Sequence, residues 1–592
     1  MTFRDLVQDL RELPLILGLA GAVRDAHRPG ATCGALIRRQ AERLPDRPCL
    51  RFETEELTFR ELNRLVNRFA RLLSASGVGR GDRVAILMEN SPAMLAAEGA
   101  IGKLGAVGAL LNTHLSGEAL RHVLGASGAR RVIVDAACAA PMAALRDLEG
   151  LTVWADPGAV PLPPRFRSLP EELAEASEEE PDVAEPGLDD VFLYVYTSGT
   201  TGYPKPAVVR HSRFTLAGAT LQRIFDVDRD DCIYAPLPLY HGESNFVGFA
   251  LALRAGACFA SRRRFRASEF LADVRRHRAT GFVYVGELCR YLLRRPATAG
   301  DRDHALRWAA GAGLRPEIWR EFQDRFGVRR IYEMYGATEG NVSLLNRTGR
   351  VGSVGRPFPF QHDHVKLARL YLSTEELIRG DDGFLVECTA GESGELLGRT
   401  DRGRMRYDGY AGDPVASERK LVRSAFAPGD AWFRSGDLLR RDRDGYFHFV
   451  DRIGDTFRWR GENVSAQEVA DVMQEAPGIG HAAAYGVRIA DAEGRGGMSA
   501  VALCAASTFD GGRVYEHVAR GLPSYAQPLF LRIVDAVETT GTLKPRTVRY
   551  RAEGFDPRSI TDALYVRDDG ARAYVPLTAE AYDAIQSGRR RL

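Results

Sequence analysis

Apolar positions recur along this chain in two rhythms. Between Thr58 and Leu73 they fall at helical spacing, with Leu62, Leu65, Val66, Phe69, Leu72 and Leu73 on one face. Thr58 and Glu61 supply a capping-box pair at its start. Arg83 to Met88 (RVAILM) then reads as a buried strand, Pro92 to Leu104 as a helix, Gly108 to Asn112 as a lead into a turn, and Val132 to Val134 as a short strand. Further on, Phe192 to Tyr196 and Gly281 to Val285 read as strands, and Pro316 opens a helix after the glycine turn that begins AAGAG at Ala309. Strands alternating with helices predict an α/β sheet fold. Residues 156–190, rich in proline and acids, read as a connection rather than core, and residues 451–464 as a flexible connector. Beyond them Met498 to Cys504, Val514 to Ala519 and Phe530 to Val534 alternate strand, helix and strand, which predicts a small separate domain.

The strand at Phe192 runs into Thr197, Ser198, Gly199, Thr200, Thr201 and Gly202, and Lys205 follows. Glycines let successive N–H groups curl around an anion, hydroxyls add donors, and a lysine supplies a compact positive charge. The spacing is not that of a P-loop. A solvated Ser/Thr/Gly surface loop is the competing reading of the hydroxyls and glycines alone. The strand feeding the loop and the lysine closing it favour the phosphate cradle. Of 80 Lys and Arg residues only Lys103, Lys205, Lys366, Lys420 and Lys544 are lysine, and one of these five ends the hydroxyl-rich loop.

A second dense stretch, IYEMYGATEGN, spans Ile331 to Asn341. Its small residues admit a planar ring to the backbone, Thr338 can bond a phosphate, and Glu339 can ligate a hard cation such as magnesium. A plain strand-end turn is the alternative. Asp437, in WFRSGDLL, is a carboxylate suited to two ribose hydroxyls. His241, after the apolar run IYAPLPLY, is read as a packed or solvent-facing residue without an acid–base role.

Composition excludes more than it selects. The net charge of +2 gives no case for nucleic acid, and 45% hydrophobic with 27% charged residues is ordinary for a globular protein. Eight cysteines show no CxxC pair or metal spacing, which predicts reduced, buried thiols and a cytosolic protein. Leu13 to Val23 is apolar but shorter than the roughly 20 residues of a spanning helix. It is expected to pack on its own domain, with a peripheral membrane contact as the other reading.

YTSGTTGYPK, YGATEGN, SGDL, DRIGDTFRWRGENV and TTGTLK, in that order, resemble the adenylate-forming acyl-CoA synthetase superfamily. GAGLRPEIW, FDPRSITDALYV and AYVPLT resemble its fatty-acid-transport-protein branch, the very-long-chain acyl-CoA synthetases. The resemblance covers nearly the whole chain. It implies a large N-terminal adenylate-forming domain, residues 1–453, of α/β subdomains plus a β-barrel-like part, and a small mobile α+β C-terminal domain, residues 454–592. It implies ATP, Mg2+ and coenzyme A, and a fatty acid that becomes acyl-AMP and then a thioester.

By the same resemblance Thr197, Ser198, Gly199, Thr200, Thr201, Gly202 and Lys205 hold the β- and γ-phosphates. Gly311, Ala312, Gly313, Tyr335 and Gly336 frame the adenine, Thr338 meets the α-phosphate and Glu339 binds the metal. Asp437 and Arg452 take the ribose, Lys544 bridges carboxylate and α-phosphate, and Gly461 borders the pantetheine tunnel. The hinge falls at Gly454, where many relatives carry Asp or Lys, and Thr542 and Leu543 stand between Gly541 and Lys544, where many relatives have lysine directly after glycine, a second departure. The implied protein is an ATP-dependent long- or very-long-chain fatty acid–CoA ligase, cytoplasmic or peripheral at the inner membrane face. An acyl-AMP ligase loading a carrier protein, and a membrane-associated uptake protein that traps the acid as its thioester, are the alternatives.

Overall fold

A computed structural model describes residues 3–28, 30–146, 149–158, 161–197, 204–371, 374–401, 406–453, 457–459, 462–490, 494–505, 507–539 and 545–590. The chain divides into two compact units, residues 1–362 with 400–421, and residues 363–399 with 422–592. The boundary expected at 453/454 falls inside the second unit, and Gly454 lies outside the described residues.

The first unit carries two sheets. One has seven strands in the order Phe166–Ser168, Thr152–Ala155, Arg131–Val134, Arg83–Leu87, Val107–Leu110, Val191–Thr197 and Lys205–Arg210. All neighbours are parallel except the last pair. The other has eight, ordered Ser343–Leu345, Arg330–Gly336, Trp308–Ala312, Gly281–Val285, Cys232–Tyr234, Cys258–Ser261, Pro48–Phe52 and Glu55–Thr58. Its interior is parallel and each end strand folds back antiparallel. Strands buried on both faces need continuous apolar runs, and that is what Val84 to Leu87, Leu193 to Val195 and Phe282 to Tyr284 provide.

The helix Phe59–Ala75 begins at the expected capping box, Thr58 and Glu61 each serving the other's backbone N–H. It buries Leu62, Val66, Phe69, Leu72 and Leu73 and packs against the helix Pro92–Leu104. Three expectations change. Val107–Leu110 is a full parallel strand, since Leu110 and Leu111 continue the apolar run into the sheet. The connection 156–190 contributes an edge strand, Phe166–Ser168, and a helix, Leu169–Glu175, anchored by buried Phe166 and Leu169. The glycine turn at 309–313 is largely strand, because Gly311 pairs between Tyr284 and Glu333.

The N-terminal helix, Phe3–Ala26, lies against the helix His211–Phe225, with Leu19 buried and Gly18 close against Arg223. Packing on its own unit is therefore the outcome for the later part of Leu13 to Val23. Among the described residues no helix is long and apolar enough to cross a membrane. All eight cysteines are free, seven of them buried and Cys504 exposed.

The second unit holds an antiparallel sheet that includes Val365–Ala368, Ser393–Arg399, Ala431–Arg441 and Phe447–Arg452. It also holds a five-stranded sheet, Ile479–Val487, Gly496–Leu503, Phe530–Ile533, Ala563–Asp568 and Ala573–Pro576. Helices Ala466–Glu475 and Gly511–Gly521 join the latter in one core with Val469, Met473, Val514, Phe530 and Tyr550, and no residue of that core precedes Phe457. The connector 451–464 contains two short paired strands, Phe457–Trp459 and Glu462–Val464, pinned through buried Phe457 and Val464.

Candidate active site

Thr197 and Lys205 are cross-strand partners in the antiparallel pair that ends the seven-stranded sheet. The two ends of the hydroxyl- and glycine-rich loop are therefore fixed against one another. Ser198, Gly199, Thr200, Thr201 and Gly202 lie outside the described residues. Lys205 places its ammonium 2.9 Å from Asp413 Oδ2 and 5.8 Å from the centre of the Tyr410 ring. Asp413 also caps the helix Pro414–Arg419, its Oδ1 accepting from the Ala416 N–H at 2.8 Å. That backbone bond, with Lys205 second, holds the Asp413 carboxyl below the usual carboxylate range.

Tyr410 extends the chain of contacts. Its hydroxyl donates to Glu339 Oε1 at 3.2 Å, and burial followed by the Glu339 charge pushes the phenol up. Glu339 follows the strand Arg330–Gly336, as the motif predicts. The turn that carries it is held from behind by Arg213, in the first turn of the helix His211–Phe225. One arm of this guanidinium donates to the Thr338 carbonyl and the other to the Ala337 carbonyl at 2.9 Å. Burial pulls the Arg213 pKa down, opposed by Glu339 and Asp408. A planar fork suits two adjacent carbonyls in a way a lysine does not.

Thr197, Lys205, Gly311, Ala312, Gly313, Tyr335, Gly336, Thr338 and Glu339 all belong to the first unit. Tyr335 is buried and Gly336 exposed, both at the end of the strand Arg330–Gly336. Gly313 has φ +85°, a backbone state that favours glycine. Behind it sits Glu333, buried, whose Oε1 accepts from the N–H groups of Gly313 and, at 3.0 Å, Leu314.

Asp437 and Arg452 face each other across the antiparallel strands Ala431–Arg441 and Phe447–Arg452, with Asp437 Oδ1 3.7 Å from Arg452 Nε. Buried Glu395 steadies the turn before them, accepting from the Gly436 N–H at 3.1 Å and pairing with Arg434 at 2.6 Å. The pair expected at the ribose thus stands together within the second unit. Gly461 and Lys544 lie outside the described residues. Among the described residues on either side of Lys544, Thr539 bridges Pro545 and the Arg546 N–H donates to the Glu538 carbonyl at 2.8 Å.

Residues 37–398 match the model of a family described as AMP-binding enzyme. The chain belongs to that family. Long-chain fatty acid transport protein 6 of Mus musculus is 38% identical over 92% of this chain and 88% of its own length. Medium/long-chain-fatty-acid–CoA ligase FadD6 of Mycobacterium tuberculosis is 39% identical over 95% of this chain and 92% of its own. The crystal structure of ATP-bound MatB from Rhodopseudomonas palustris superposes with a TM-score of 0.72 at 25% identity, covering 88% of this chain and 98% of that one. The fold is that of the adenylate-forming enzymes.

Four residues of these networks, Arg213, Glu333, Tyr410 and Asp413, were not among the candidates read from sequence. Glu333 and Arg213 carry a faint signal, a charge inside an apolar strand and one in the first turn of a helix. Tyr410 and Asp413 carry none, because they reach Glu339 and Lys205 from far along the chain.

Proposed function

We propose that this protein is an ATP-dependent fatty acid–CoA ligase acting on long or very long chains. The observation that carries the proposal is the unbroken run from Lys205 through Asp413 and Tyr410, whose ring lies under the Lys205 ammonium, to Glu339. It ties the loop that fits a triphosphate to the turn that fits a metal. The names of the relatives at 38% and 39% identity supply the acid and the thiol.

In the first step a carboxylate oxygen of the acid attacks the α-phosphorus of ATP, the bond to the β-phosphate breaks, and pyrophosphate leaves. In the second, the coenzyme A sulfur attacks the acyl carbon, AMP leaves, and the thiol proton passes to solvent. Charge moves over phosphoryl oxygens, so the protein's contribution is positioning and electrostatics. Thr197 to Gly202 and Lys205 take the β- and γ-phosphates, and Gly311 to Gly313 with Tyr335 and Gly336 take the adenine. Thr338 meets the α-phosphate, Asp437 and Arg452 take the ribose, and Lys544 bridges the carboxylate and the α-phosphate.

Magnesium fits Glu339. A single carboxylate beside phosphates, with water completing the shell, is the arrangement this ion prefers, and it would neutralise charge on the phosphates. We assign residues 454–592 to a domain that swings about Gly454 and brings Gly461 to the pantetheine channel for the second step. The core built only from Phe457 onward supports that boundary. The enzyme is assigned to the cytoplasm, with a peripheral position at the inner face of the membrane as the alternative.

Purified protein with ATP, magnesium and acids from medium to very long tests this, following AMP with and without coenzyme A. AMP and acyl-CoA forming together is the expected result. Acyl-AMP accumulating without thioester overturns the coenzyme A assignment in favour of a carrier-protein acceptor, and absence of AMP with every acid overturns the ligase.

A further inference from the structure

Tyr284, Gly311 and Glu333 stand in register on three adjacent parallel strands. Residues in register on parallel strands point to the same face. Because Gly311 has no side chain, the tyrosine reaches over it, and its hydroxyl meets Glu333 Oε2 at 2.6 Å. A Cβ at Gly311 would stand 2.0 Å from the Tyr284 carbonyl oxygen and 2.7 Å from its ring. The other oxygen of Glu333 accepts from two consecutive backbone amides, Gly313 and Leu314. Gly313 is further confined by Gly286, where a Cβ would lie 1.7 Å from the Gly313 oxygen. Tyr284, Gly311, Leu314 and Glu333 are buried and Gly313 is exposed, and the steps assigned above do not use Glu333.

Those two N–H groups belong to the turn assigned to the adenine. Turned onto Glu333, they are not available to a ligand. A wall without these donors disfavours a base edge made of acceptors, as guanine O6 and N7 are. It accommodates an edge that brings its own hydrogen, as the adenine 6-amino group does. We propose that Glu333 is a positioning and specificity residue for the nucleotide base, fixing the 311–314 backbone and withholding its amides so that adenine is selected over guanine. This rests on the adenylate-forming reading.

Glu333→Gln keeps the shape and one acceptor oxygen but puts an amide NH2 in place of the other, so the Tyr284 hydroxyl and the two backbone amides can no longer all be accepted. Wild type and variant would be compared by calorimetric binding of ATP and of GTP, and by rates with ATP, GTP and hexadecanoate varied in turn. Expected are an ATP Kd and KM raised about tenfold and a GTP-to-ATP ratio of kcat/KM raised about fivefold or more. The hexadecanoate KM should move less than about twofold. ATP and GTP weakening by one common factor, or nucleotide and acid KM rising together, overturns the proposal. Should Glu333→Gln fail to fold, Tyr284→Phe, which removes one of the three donors, is expected to shift the ratio in the same direction. An unchanged ratio there overturns the proposal equally. A wild type that binds ATP yet makes no acyl-CoA sinks the ligase reading, and the calorimetric comparison still decides the role of Glu333.

Discussion

Lys205 Nζ and Asp413 Oδ2 stand 2.9 Å apart, so the ammonium assigned to the phosphates already has a carboxylate partner. Both side chains are about a third exposed, at 34% and 39%, and an ion pair of that kind contributes little to stability. A triphosphate can displace Asp413 at small cost. Lys205→Ala is expected to raise the ATP KM roughly tenfold or more. Asp413→Asn, which keeps the cap on Ala416 and drops the charge, is expected to change it less than about threefold. Steady-state rates at varied ATP check both, and equal effects would refute the exchange of partners.

Arg213 holds the carbonyls of Ala337 and Thr338 with a fork that a lysine cannot reproduce. Arg213→Lys should therefore behave as a poor replacement. kcat/KM for ATP is expected to fall roughly tenfold while the melting temperature stays near that of wild type. A variant with wild-type kinetics would show that the turn before Glu339 keeps its shape unaided.

Lys544 falls between Thr539 and Pro545, which bridge one another, with the Arg546 N–H donating to the Glu538 carbonyl beside them. Lys544→Ala is expected to lower formation of acyl-AMP by roughly a hundredfold or more, since one positioned charge on a transferring phosphoryl is worth about 3 kcal/mol. Starting from synthetic acyl-AMP and coenzyme A, thioester formation should fall less than about tenfold. Equal losses in the two assays would contradict a role confined to the first step.

Two buried groups outside the site set opposite pH dependences. Burial pushes Glu98 up to about 8, and its Oε2 accepts from Asn245 at 2.7 Å while Oε1 and Asn245 Oδ1 lack a hydrogen-bond partner. A carboxyl raised in the folded state binds more protons folded than unfolded. Its contribution is complete below the unfolded value near 4.5 and is lost as pH rises through about 8, on the order of 5 kcal/mol in all. Burial pulls His211 down to about 4, beside Phe192 stacked at 4.4 Å. That group works the other way, with stability lost as pH falls from about 6.5 towards 4. Glu98→Gln offers an amide to Asn245 Oδ1 and removes the titration. At pH 8 it is expected to be more stable than wild type by about 1–3 kcal/mol. Urea midpoints at pH 5.5 and pH 8 test this, and a wild type whose midpoint does not fall between them refutes it.

Legibility of the sequence followed locality. Thr58 with Glu61, Pro316 at the start of its helix and the strand at Gly281 are set by neighbours within a few residues, and all three were readable. The strand Trp308–Ala312 was not, since AAGA has neither β-branching nor alternation and is a strand only because the Tyr284 and Glu333 strands flank it. Motif residues were visible as clusters. Asp413 and Arg213, which touch them from elsewhere, could not be found by spacing, because contacts across long separations leave no periodic trace.

The pairing of Thr197 with Lys205 has one more implication. Between them run seven residues, and side chains on the returning strand Lys205–Arg210 alternate between the two faces of the sheet. A slip of this pairing by one residue would turn the ammonium to the opposite face and present Pro206 or Pro204 in its place. The face the ammonium takes is therefore set by the register of two strands and not by the glycines and hydroxyls between them.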